Sequence, residues 1–149
     1  MSETTISISI PTILRDRFCH LFDEDPLFQN ESSETARGVP LTTYTIFDTG
    51  TDLEIEAVLI EEKVPYTIRV HPGFDVDGST EHFRILEDGT PVSTSYDDSL
   101  NARMVTLEEL SDAHAQGPEA VARLIAAKED EFPVLAWDKQ MAILNKESA

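Results

Sequence analysis

Glu81-His82-Phe83-Arg84-Ile85-Leu86-Glu87-Asp88-Gly89-Thr90-Pro91-Val92-Ser93-Thr94-Ser95-Tyr96 is the stretch on which the fold turns. Asp88-Gly89 marks a tight turn, because glycine takes a positive φ without steric cost. The runs on either side, 81–86 and 91–96, read as the two strands of a hairpin. A hairpin in the middle of the chain predicts a sheet, and the flanking segments supply its other members.

Upstream, Ile6, Ile8 and Ile10 alternate with Thr5, Ser7 and Ser9, the period-two pattern of a half-buried strand. Pro11 suits the first turn of a helix, where its missing N–H costs nothing, and Leu14, Phe18 and Leu21 follow at helical spacing. Residues 23–40 mix acids, hydroxyl residues, two prolines and a glycine. Connections beyond roughly 12–15 residues are uncommon, so this segment is expected to be a mobile surface loop, pinned at Leu27 and Phe28. Residues 41–48 are rich in Thr, Tyr, Ile and Phe and read as a strand.

Residues 51–63 admit two readings. Asp52 to Ala57 alternates like a strand, whereas Thr51 and Glu54 have the spacing of a capping box. Leu53, Ala57, Ile60 and Val64 recur at helical spacing, and helix is the preferred reading, with strand as the alternative. Pro65 closes the segment, and 66–70 alternates again. Downstream of the hairpin, Thr106 and Glu109 form another capping box, and Gly117-Pro118 punctuates two helical stretches. Val121, Leu124, Ile125 and Phe132 make one predicted buried stripe, and Val134, Trp137, Met141 and Leu144 a second. The expected fold is a single α+β domain over residues 1–149. It has a mixed sheet of about five strands, with helices packed on it and a helical C-terminal third covering one face.

Composition agrees with one domain. Hydrophobic residues make up 40% of the 149, enough for one core. Met1 to Ile10 has neither the basic region nor the apolar run of a signal peptide. The longest apolar run, Ala57 to Ile60, falls far short of the roughly 20 residues of a membrane span. Cys19 is the only cysteine, which rules out an internal disulfide and a thiolate metal cage. A cytoplasmic protein is expected.

Charge is the outlier: 29 Asp and Glu against 11 Lys and Arg, a net of −18. Residues 41–100 alone carry thirteen acids and three bases. Such a field repels nucleic acid and anionic membranes and attracts basic partners. Glu81, Glu87, Asp88, Asp97 and Asp98 flank the hairpin and are the expected partner-binding acids. The functional expectation is a non-enzymatic interaction protein that docks a basic protein surface, such as that of a nucleic-acid-handling complex. Its specific form is an inhibitor that imitates nucleic acid, of the kind phages and plasmids carry. Direct nucleic-acid or membrane binding is not expected, and no oligomeric state is indicated.

The alternative is a small enzyme or cation-dependent binder built on His71 to His82, where two imidazoles and three carboxylates crowd twelve residues. Its candidate ligands are His71, Asp75, Asp77 and His82. Their spacing matches neither a calcium loop nor a zinc site, so no metal or other cofactor is expected. No Gly-x-Ser-x-Gly elbow or phosphate-binding glycine loop occurs, and Cys19 and His20 point about 100° apart on a helix. No catalytic residue is therefore assigned.

Overall fold

The computed structural model describes residues 4–49, 54–73, 77–100 and 102–147. Strand β1 (Thr4–Pro11) leads into two short helices, α1 (Thr12–Arg17) and α2 (Cys19–Phe22), which form one amphipathic segment broken at Phe18. A 3-10 turn (Pro26–Phe28) precedes β2 (Glu31–Ala36) and β3 (Val39–Thr49). Helix α3 (Glu54–Glu61) crosses to β4 (Tyr66–Val70), and β5 (Ser79–Ile85) pairs with β6 (Pro91–Asp97) in the expected hairpin. Three helices follow: α4 (Leu107–Gln116), α5 (Pro118–Glu131) and α6 (Trp137–Glu147).

The result is an α+β fold on a six-stranded sheet in the order β2-β3-β1-β4-β5-β6. Two features differ from the expected sheet. First, every pairing is antiparallel rather than mixed. Both neighbours of β1 run against it, so β3 and β4 share a direction but do not pair, and α3 crosses over β1 between them. Second, the segment expected to be a loop at 23–40 supplies the sixth strand. Its sequence, ESSETA, has no apolar face, because β2 is an edge strand with little to bury. The β2–β3 turn is Arg37-Gly38, both with positive φ (53° and 78°), the twist-matched two-residue hairpin turn. Phe28 pins the preceding turn to the core, whereas Leu27 stays exposed.

The hairpin, the helix at 54–61 and the punctuation of the last third follow the sequence reading. Gly89 has φ +85° in the β5–β6 turn. Thr106 and Glu109 cap α4 reciprocally, and Gly117 (φ +115°) separates α4 from α5. Residues 51–53, which carry part of the first capping box, lie outside the described residues. The stripe along α5 is only half-buried, and Ile125 is 49% exposed, because α4 and α5 pack chiefly on each other.

One face of the sheet is the core. Ile6, Ile8 and Ile10 of β1 meet Tyr44 and Ile46 of β3, Tyr66 and Ile68 of β4, and Phe83 and Ile85 of β5. Leu14, Phe22, Phe28, Leu59 and Val64 cover them. Phe22 stacks on Tyr44 at 4.9 Å while Phe28 meets both edge-on. The Tyr44 hydroxyl donates to Glu31 (2.8 Å) and accepts from Arg15 Nε (2.7 Å), tying α1 to the edge strand.

Helix α6 is latched by one amide. Tyr66 is the first residue of β4 and pairs with Phe83, so Ile85 lies beyond the reach of that strand. The fully buried Gln140 takes its place: Ile85 N donates to Oε1 (2.8 Å) and Nε2 donates to Ile85 O (2.9 Å). Truncation strands a buried donor and a buried acceptor, each costing about 1–3 kcal/mol. Gln140→Ala is expected to lower unfolding free energy by about 2–4 kcal/mol in urea titrations, with the strand signal retained at low urea.

Glu81 also lies on the core side, facing α3. Burial, and then its hydrogen bond with Glu56, push its carboxyl up from an ordinary 4.5 to about 7. The unfolded chain releases this proton at lower pH than the folded one. The folded state is therefore favoured below pH 4.5, and that advantage is lost as pH rises towards 7. Glu81→Gln should abolish this fall. Its stability relative to the parent protein is expected to rise by about 1–2 kcal/mol between pH 5 and pH 8, allowing for the partial exposure of Glu81. Urea unfolding at the two pH values measures it.

Candidate functional site: a cationic cleft on the polar face of the sheet

The alternation that builds the core also builds an opposite face. Ser7 and Ser9 of β1 pair with Thr45 and Thr43 of β3 and with Arg69 and Thr67 of β4. Thr80 and His82 of β5 continue that row opposite Arg69 and Thr67, and Tyr96 and Thr94 of β6 lie opposite them. An antiparallel sheet often leaves such a face to water. Here Thr67, Thr80, His82 and Arg84 are all buried.

The cover comes from the segment between α5 and α6 and from residues 102–104. Two hydrogen bonds from the sheet hold it down, and a third joins its two parts. Thr94 Oγ1 donates to Pro133 O (2.7 Å), Arg103 Nη1 to Phe132 O (2.7 Å) and Arg84 Nε to Leu135 O (2.9 Å). Phe132 packs edge-on to Tyr96 at 5.5 Å. Arg84 lies 3.8 Å from the centroid of the Trp137 ring.

Between sheet and cover lies a cleft of about 830 Å3. Arg37, Arg69, Arg84, Arg103 and Lys139 line it, against three acids, Glu34, Asp98 and Glu129. Nearly half of the eleven cationic side chains of a strongly acidic chain thus converge on one concavity. Among the described residues, no carboxylate forms an ion pair with Arg69, Arg84 or Arg103.

Arg84 is the clearest case. Only 3% exposed, it donates to Leu135 O, Tyr66 O (2.7 Å), Phe83 O (3.1 Å) and Thr67 Oγ1 (3.1 Å), all neutral acceptors. Burial and the nearby Arg103 charge lower its pKa to about 10, so it remains cationic at neutral pH. Buried charges are ordinarily paired. Its neighbour His82 is driven the other way in charge. Burial, followed by the fields of Arg84, Arg103 and Arg69, pushes the imidazole down to about 3, leaving it neutral. Three guanidinium fields therefore act at one point on the sheet. His82 Nδ1 lies 3.0 Å from Thr67 Oγ1 and Nε2 lies 2.8 Å from Tyr96 Oη.

The five acids expected to bind a partner are placed apart. Glu81 faces α3, and Glu87 is exposed with Lys146 Nζ at 3.2 Å. Asp88 caps its own turn by accepting from Thr90 N (2.9 Å); hydrogen bonding to the Thr90 side chain, and then to its backbone, lowers the carboxyl pKa. Asp97 ends β6, and Asp98 follows it and lines the cleft. The run of β6 from Pro91 to Asp97, roughly 20 Å at about 3.3 Å per residue step, lies between the Glu87–Asp88 end of the hairpin and the Asp97–Asp98 pair.

The described metal candidates do not assemble either. His71 is exposed beside Ser7 Oγ (2.8 Å), and Asp77 is exposed, whereas His82 is buried in the cleft floor. Asp75 lies outside the described residues. Among the described residues, no three His, Cys, Asp or Glu side chains group together as metal ligands.

Of the expected candidates, His82 and Asp98 line the cleft; Arg69, Arg84, Tyr96 and Arg103 carried no local signal that singled them out. A signal in composition existed. The acidic stretch 41–100 has only three basic residues, and two of them, Arg69 and Arg84, sit on expected strands. Register was needed to show that both point to one face.

Removing the Arg84 fork should cost stability first. Arg84→Ala leaves three carbonyls without this donor and unpacks Trp137, for an expected loss of about 2–4 kcal/mol by denaturant unfolding. Arg84→Lys is expected to lie between the parent and Ala, because it keeps the charge but not the planar fork. Comparison with protein-family models, with curated proteins and with solved structures finds no match to this chain.

Proposed function

We propose that this domain binds a small, multivalent oxyanion in the cleft on the polar face of its sheet. The observation that carries the reading is the convergence of Arg69, Arg84 and Arg103 without a described carboxylate partner, on a chain of net charge −18. A carboxylate or phosphate ligand would complete the pairing that a buried guanidinium ordinarily has. The cleft also has the size of a small-molecule site, roughly 300–1,000 Å3.

The acidic exterior favours a short ligand over a polymer. Screening acts over about 8 Å at physiological salt, so an anion inside the cleft feels mainly its guanidiniums. A nucleic acid long enough to overrun the rim would lie against the surrounding carboxylates and be repelled. The reading is one of binding rather than turnover, since both His82 nitrogens are engaged by neighbours. A single cysteine and a fold without disulfides fit work in the cytoplasm.

Docking of a basic protein by the acidic surface, including imitation of nucleic acid, stands second. The charge supports it, but the five hairpin acids do not share one face.

Isothermal titration with citrate and with inorganic pyrophosphate tests the proposal, with a 20-nucleotide single-stranded DNA as the contrast. Stoichiometric binding of at least one small anion is expected, weakening as salt rises, with none for DNA. Arg69→Gln, at an exposed position, should weaken it about tenfold, or about 1.4 kcal/mol. Absence of binding by both small anions would overturn the reading.

A further inference from the structure

We propose that Tyr96 is a hydrogen-bond donor to the anion in this cleft, held in that role by a one-way chain from Arg84 through Thr67 and His82, so that the site prefers oxyanions carrying no proton. The inference rests on the anion-binding reading and names the chemistry of its ligand.

The direction of the chain follows from what each group can do. A guanidinium only donates, so Arg84 Nη2 donates to Thr67 Oγ1 at 3.1 Å. The Thr67 hydroxyl has one proton of its own. Among the described residues its other side-chain partner is His82 Nδ1, at 3.0 Å. Donation to Nδ1 makes that nitrogen the acceptor and puts the proton of the neutral ring on Nε2. Nε2–H then donates to Tyr96 Oη at 2.8 Å. With its oxygen accepting from His82, Tyr96 has its own proton left for another acceptor.

The reverse direction fails at Thr67. Its oxygen would accept from both Arg84 and Nδ1–H, and its own proton would lie in a buried site without a described side-chain acceptor. A doubly protonated ring meets the same obstacle, and burial among three guanidiniums keeps the ring neutral.

Tyr96 lines the cleft and is half-buried, so its hydroxyl reaches a ligand there. No described carboxylate accepts from it. Tyr96 and the guanidiniums of Arg69 and Arg103 would thus meet the anion with donors. A protonated ligand oxygen aimed at these groups would set donor against donor, and one turned to Glu34, Asp98 or Glu129 would bring the anion towards a like charge.

Sulfate and inorganic phosphate separate the cases, being tetrahedral anions of similar size. At pH 7 phosphate retains at least one proton and sulfate none. Isothermal titration of the full chain is expected to give a sulfate affinity about tenfold above that of phosphate. Tyr96→Phe should cost sulfate about tenfold and remove most of the preference. Long-range 1H–15N NMR of the ligand-free protein is expected to show His82 as the Nε2–H tautomer. Binding of both anions without a preference for sulfate, or an Nδ1–H ring, overturns this inference alone. Failure of both to bind overturns this inference alone if citrate or pyrophosphate binds, and removes the anion reading with it if neither does.

Discussion

Everything in this fold depends on the two-residue period of its central strand. β1 sends Ile6, Ile8 and Ile10 to one side and Ser7 and Ser9 to the other, and it pairs with β3 along most of its length and with β4 from Ile6 to Ser9. Register then imposes the same division outward, strand by strand. Ile8 fixes Tyr44 and Ile68 on the core side, and Ser9 fixes Thr43 and Thr67 on the polar side. A one-residue slip would exchange the two faces and expose three isoleucines, each contributing about 1.5–3 kcal/mol when buried. The core and the cleft are thus two readings of one register.

The two faces meet their energetic demands differently. The core needs only close packing, which its aromatic pairs and isoleucine ladder supply. The polar face has been withdrawn from water, so each of its groups needs a partner. Among the described residues, no buried side-chain polar atom is left without one. Arg84 accounts for much of this. It holds strands β4 and β5 to the segment ahead of α6, and Trp137 lies under its charge. Hydrogen bonds satisfy its N–H groups but do not neutralise it. The acids that could do so stand mostly on the outer surface, where solvent and salt weaken their field. An anion entering the cleft would meet charge that the fold itself has only solvated with dipoles.

The legibility of the chain follows the strength of its local signals. The Asp88-Gly89 turn, the capping box at Thr106 and Glu109 and the alternation of β1 each depend on residues close in sequence, and each appears as read. β2 carried no such signal. Its pairing with β3 draws on backbone hydrogen bonds that any sequence can make, and an Arg-Gly turn is a weaker cue than Asn-Gly. Ile125 shows the opposite failure. Its helical spacing is genuine, but the hairpin of α4 and α5 has too little sheet beneath it to bury that face. The cleft was hidden for a third reason: its cations are separated in sequence at positions 69, 84 and 103, and no local pattern joins them.

By itself the sequence determined the α+β character, the central hairpin, the helix before Pro65, the caps of the last third and the acidic balance of the whole. Each of these is decided by neighbours within a few residues or by composition, where steric preference and simple counting suffice. Only the tertiary structure decided strand order, the place of β2, the latch between Gln140 and Ile85, and the meeting of Arg69, Arg84 and Arg103 around His82. These depend on which strands lie side by side and in what register, and that is settled by burying the core as a whole. The same arrangement leaves a cationic hollow in a protein whose composition announces only acid.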